Sequence, residues 1–107
     1  MKRLKKAKGF LNVSDYEKFF EEIEKSLWGY FADKFNLDTS KLSKENININ
    51  FNKKKIDNNE IKKFIKILNT CEFARYSPNK NRSQHMENTL EEAKKIIVQV
   101  ESNLKKS

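Results

Sequence analysis

Met86, Leu90, Ala93, Ile97, Val100 and Leu104 follow one another at alternating steps of four and three residues, which constrains this chain more than any other feature. A strand would place apolar residues at every second position, whereas steps of three and four stack side chains along one face of an α-helix. The spacing recurs upstream. Tyr16, Phe20, Ile23, Leu27, Phe31 and Phe35 define a second inward face, which Phe19, Trp28 and Tyr30 widen towards a large aromatic core surface. Ile61, Phe64, Ile65, Leu68 and Cys71 mark a third. A short basic amphipathic helix is expected at the start, where Leu4, Ala7 and Leu11 sit among Lys2, Arg3, Lys5, Lys6 and Lys8.

The punctuation between these segments agrees with them. Two glycines and one proline are too few for the turns of a many-stranded β protein, so long uninterrupted elements are expected. Ser14 and Glu17 stand as a capping box that opens the second helix, and Asp57 with Glu60 stands as another, flanked by Ile56 and Ile61 as a staple. Ser43 has the place of an N-cap, with Leu42 and Ile47 around it. The second helix should end near Asn36 and run through Gly29, which costs about 1 kcal/mol against alanine unless another backbone comes close. The helix carrying Cys71 must stop before Pro78, since the residue ahead of a proline avoids helical geometry. Ser77–Arg82 then reads as a turn-rich loop, and the last helix is expected to begin after Ser83. Asn46–Asn52 alternates asparagine with apolar residues, a strand pattern, yet asparagine is poor in strands and Ile47 and Phe51 stand four apart. A short helix is the expectation there. The whole is predicted to be all-α, a compact bundle of four to five helices in a single domain, with residues 1–13 as a basic leader and 14–107 as the bundle.

Charge narrows the function. The net +8 is uneven: residues 1–13 hold five cations and no acid, residues 14–40 sum to −4 and residues 41–66 to +5. A general polyanion binder would not keep so acidic a stretch beside its basic ones. A basic nucleic-acid-binding module using Lys53, Lys54, Lys55, Lys62, Lys63 and Lys66 as phosphate contacts is therefore the second reading. One cysteine permits no intrachain disulfide, and no apolar run exceeds three residues, so the chain contains no membrane span.

Chemistry is sparse. Cys71 and His85 are the only candidates for nucleophile and base. Cys71 falls on the apolar face of its helix, where a thiol is inert core filler, and His85 is expected on the solvent-exposed surface. One cysteine and one histidine do not make a zinc site, and Glu21, Glu22 and Glu24 diverge around their helix. Gly9 and Gly29 are too far apart for a phosphate loop. The expectation is a non-enzyme with no cofactor, no metal and no small-molecule substrate.

Two features survive. The basic leader could lie on an anionic lipid surface, where each lysine or arginine contributes about 1 kcal/mol. Phe73, Arg75 and Tyr76 bring two aromatics and an arginine to a helix end, a composition typical of interface anchors. Their alternative is structural: Phe73 and Tyr76 would cap the core while Arg75 bonds the last carbonyls, and inward packing is the expectation for aromatics at a helix end.

Leu27-Trp-Gly-Tyr-Phe-Ala-Asp-Lys-Phe-Asn-Leu37, Leu42-Ser-Lys-Glu-Asn-Ile47 and Cys71-Glu-Phe-Ala-Arg-Tyr-Ser-Pro78 together resemble the C-terminal region of BatD proteins. These are membrane-anchored, aerotolerance-associated proteins of Bacteroidetes and related bacteria. The resemblance runs from about Lys2 to Val100 and departs at Asn46–Asn52, where the family has charged or alanine-rich residues. It implies a domain on the cytoplasmic side of the inner membrane, following the family's last membrane span, with the natural chain extending before Met1. It also implies work alongside von Willebrand factor A-type proteins, tetratricopeptide-repeat proteins and a MoxR-type ATPase. It carries no catalytic residues.

Overall fold

Asp15 opens the helix on which most of the molecule packs. The computed structural model describes residues 4–74, 76 and 82–106. Its elements are α1 (Lys5–Asn12), α2 (Tyr16–Phe35), a single 3-10 turn (Thr39–Lys41), α3 (Lys44–Lys53), α4 (Asn58–Ala74) and α5 (Arg82–Lys106). No strand occurs among the described residues. The three long helices α2, α4 and α5 pack on one another, α1 lies against α2 and α5, and α3 lies against α4. An all-α bundle about 40 Å long results.

The N-cap of α2 corrects the sequence reading. Ser14 does not cap the helix; Asp15 does, its Oδ1 accepting from the Lys18 N–H at 3.3 Å. Ser14 is occupied by the end of α1 instead. It takes the left-handed conformation (φ 57°), and the Ser14 and Asp15 N–H groups donate back to Leu11 and Phe10 carbonyls. That is a Schellman closure, normally built on glycine. Lys55 (φ 57°) ends α3 in the same way, with the Lys55 and Ile56 N–H groups donating to Asn52 and Phe51. Asn36 (φ 52°) terminates α2, as expected. Neither glycine is used for a left-handed turn.

Asn46–Asn52 is helical, and side-chain bonds explain how a strand-like sequence tolerates it. The Ser43 hydroxyl accepts from the Asn46 N–H at 3.1 Å, and the Asn46 amide donates to the Lys41 carbonyl at 2.6 Å. Asn48 and Asn50 donate to carbonyls one turn earlier, at 3.4 and 2.8 Å. Asparagine side chains that would compete with a helix are thus spent along its own backbone. Ile47 and Phe51 turn inward while Ile49 faces out, a split that no strand could make. At α4, Asp57 caps the helix, but the expected capping box does not form, since the Glu60 N–H donates to the Asp57 carbonyl and not to its side chain. Asp57 Oδ1 accepts from the Asn59 N–H at 2.8 Å, whereas Glu60 Oε2 is buried without a hydrogen-bond partner.

One core joins all five helices, and Phe19, Phe20, Ile23, Leu27, Phe31, Phe51, Phe64 and Leu68 are wholly buried in it. Leu4 and Ala7 belong to the same core, so the basic first helix packs as part of the bundle. Met86, Leu90, Ala93, Ile97 and Val100 line the inner face of α5, with Ile96 beside them. Trp28 departs from expectation: it is only partly buried, packed at the margin with its ring 6.4 Å from that of Phe31. Tyr30 lies between Trp28 and the wholly buried Phe31, and is itself 4% exposed.

Two stability measurements follow. Phe51→Ala should cost about 3–5 kcal/mol in a urea unfolding experiment, because it opens a cavity among the rings of Phe31, Phe35 and Phe64. Gly9→Ala should raise stability by about 0.5–1 kcal/mol, since a Cβ there meets nothing within 4 Å.

Candidate interaction surface

Cys71 is wholly buried, on the α4 face that the sequence assigned to it. His85 is not the freely exposed residue expected. It is half-buried at the start of α5, with its ring 4.9 Å from Phe20 and 6.2 Å from Tyr16. An imidazole's flat face suits this position, where the aromatic surface of α2 runs out under the first turn of α5. Tyr16 is held there too, with the Arg82 guanidinium 5.0 Å from its ring centre and its hydroxyl buried without a hydrogen-bond partner. Burial raises the Tyr16 phenol above its ordinary value, and the nearby Arg82 charge works against that. No group of three or more His, Cys, Asp or Glu side chains is arranged for a metal among the described residues.

The end of α4 overturns the expectation of inward packing. Phe73 is 71% exposed and Tyr76 is 85% exposed, so neither caps the core. Ala74 and Cys71 take the inward positions of that last turn. Spacing explains the outcome: Phe73 lies two residues after Cys71, about 200° around the helix from a buried position. The adjoining Glu72 is paired with Lys44 at 3.0 Å, tying the start of α3 to the end of α4 and leaving the aromatic pair beside a fixed charge. Arg75 and residues 77–81, on which most of the loop expected over Ser77–Arg82 falls, lie outside the described residues; Arg82 already belongs to α5.

The cationic candidates are all on the outside where they are described. Lys5, Lys6 and Lys8 are exposed around α1, while Ala7 and the preceding Leu4 face inward; Lys2 and Arg3 lie outside the described residues. Lys53, Lys54 and Lys55 are exposed at the α3–α4 corner, and Lys62, Lys63 and Lys66 along α4. No helix among the described residues is long and apolar enough to cross a membrane.

A polar cluster that the sequence did not single out joins α2 to α5. The Tyr30 hydroxyl donates to Glu101 Oε1 at 3.0 Å, and Lys34 Nζ reaches the same oxygen at 2.7 Å. The Lys34 ammonium also lies 5.9 Å from the centre of the Tyr30 ring. The Lys34 hydrogen bond, helped by Tyr30, holds the Glu101 carboxyl below its ordinary value despite partial desolvation. The signal was one of register: Tyr30 and Lys34 are four apart on one helix, but nothing in sequence places Glu101 opposite them.

Comparison of the chain with protein-family models, with curated proteins and with solved structures finds no match.

A lowered folded-state carboxyl stabilises the protein above the unfolded-state value and ceases to do so as pH falls through the folded one. Glu101→Gln should therefore cost about 0.5–1 kcal/mol near neutral pH, as befits a partly exposed pair. The difference from the parent chain should shrink as pH drops below the ordinary glutamate value of 4.5. Urea unfolding at a series of pH values measures it.

Proposed function

We propose that this chain is a non-catalytic docking module of a BatD-like membrane-anchored protein, serving assembly of an aerotolerance or envelope-stress complex. The observation that carries the reading is the outward pair Phe73 and Tyr76. They fall inside the Cys71–Pro78 motif, one of the three stretches on which the resemblance rests. A soluble helix end gains nothing from two bare aromatic rings. A partner-binding end does, because aromatic and arginine anchors dominate interface energetics. The buried thiol adds support, since the residue best suited to covalent chemistry is enclosed in the core.

In this reading the module sits on the cytoplasmic side of the inner membrane, close behind a membrane span. Lys5, Lys6 and Lys8, exposed on α1, would rest against an anionic leaflet and add about 1 kcal/mol each. The partners are the proteins that the resemblance implies: von Willebrand factor A-type, tetratricopeptide-repeat and MoxR-type ATPase components.

A second reading keeps some support from the six exposed lysines of the α3–α4 corner and α4. It makes the module a nucleic-acid binder. A salt titration with random duplex DNA separates the two, since phosphate contacts impose a steep fall of affinity with salt.

The test of the leading reading is a photo-crosslinker placed at position 73 or 76 of the full-length protein in native membranes. Crosslinks to one of the three named component types are expected. Phe73→Ala with Tyr76→Ala should reduce complex recovery about tenfold or more, while changing the module's stability by less than about 1 kcal/mol, both side chains being exposed. No crosslink from either position, with the parent chain folded and inserted, would refute the reading.

A further inference from the structure

α4 packs against α2, α3 and α5, and its remaining side faces solvent. Lys62, Lys66, Asn69 and Phe73 follow that side at steps of four, three and four, and every one of them is exposed. Steps of that size keep side chains on one face of a helix. α4 ends at Ala74, yet the chain makes one more turn, because the Tyr76 N–H donates to the Phe73 carbonyl at 3.0 Å. Tyr76, 85% exposed, therefore prolongs the stripe by a further step of three. The stripe is sorted by chemistry: cations at one end, bare rings at the other, asparagine between them.

The acids of α4 do not offset the two cations. Neither Lys62 nor Lys66 has an acid three or four residues away, the spacing at which helix side chains meet. Of the two acids on the helix, Glu60 is half-buried with one carboxylate oxygen enclosed. The other, Glu72, is paired with Lys44 of α3 at 3.0 Å. Across the neighbouring groove α5 presents Glu92, but Lys95 stands with it. Positive charge is thus in excess around Lys66 and Lys62, which lie about 10 and about 17 Å along the helix from Phe73 at 1.5 Å per residue. Beside the rings, Glu72 and Lys44 answer one another, so that end offers mainly apolar surface.

We infer that the outward stripe of α4 binds an acidic protein surface, whose apolar recess takes Phe73 and Tyr76 and whose carboxylates meet Lys66 and Lys62. The inference rests on the docking reading above and adds the chemistry of the partner. Exposed rings gain most when a recess desolvates them, and lysines to one side attract a partner of opposite charge and penalise a basic one. Single-stranded nucleic acid fits the sorting less well. It brings a phosphate with every base, so cations and stacking rings should be interleaved along its path. Here the rings adjoin a glutamate already paired, and the lysines of the stripe stand about two to three helical turns away.

The probe is a photoreactive phenylalanine analogue at position 73 of the full-length protein in native membranes, with the crosslinked segment read by mass spectrometry. That segment should carry more acids than bases. Lys62→Glu with Lys66→Glu should lower the crosslink yield about tenfold, while Lys53→Glu with Lys54→Glu, off the stripe, should leave it within about twofold. Both pairs are exposed, so the thermal midpoint should stay nearly unchanged in either variant. Lysines in place of the acids of the crosslinked segment should restore the yield with the charge-reversed stripe. An equal yield after reversal of Lys62 and Lys66, a segment without an excess of acids, or a crosslink to nucleic acid or lipid would each overturn the inference. Crosslinks that form but ignore the reversal sink the acidic surface and leave docking standing. Absence of crosslinks from both 73 and 76 removes the docking reading, and this inference with it.

Discussion

The ring of Phe51 holds the architecture together. It lies 5.3 Å from Phe64 of α4 and within reach of both Phe31 and Phe35 of α2, so one side chain from a ten-residue helix bonds two long ones. A helix as short as α3, rich in asparagine, has no stability alone. It exists because Phe51 and Ile47 are buried when it forms, and α2 and α4 are sealed on that side because it forms. The edge-on ring geometry adds a modest directional preference to the larger gain from burying apolar area.

Legibility in the sequence followed the range of the interaction. Helices α2, α4 and α5 were readable because their spacing is local and their apolar residues are numerous. Asn36 as a terminator and Ser43 as a cap were readable for the same reason. Ser14 was misread because two local motifs compete for it: the end of α1 takes it into a left-handed closure, and the cap passes to Asp15. Trp28 looked like core because the α2 face is broad, yet a helix can bury only part of its circumference. The Tyr30–Glu101–Lys34 cluster spans 71 residues of sequence, and no local pattern announces it.

The surface residues divide differently. Phe73 and Tyr76 were picked out by type, but their direction was settled by how α4 is rotated when Ile67, Cys71 and Ala74 go inward. His85 was placed outside because a lone histidine near a helix start has no obvious partner; the aromatic end of α2 supplies one.

The complete enclosure of Cys71 has a practical consequence. A thiol that meets solvent only when the surrounding helices part acts as an internal clock for global opening. With no second cysteine in the chain to compete for reagent, the rate of its alkylation reports the opened population directly. Stability of the chain can thus be followed through one side chain, by timing how fast a thiol reagent reaches it.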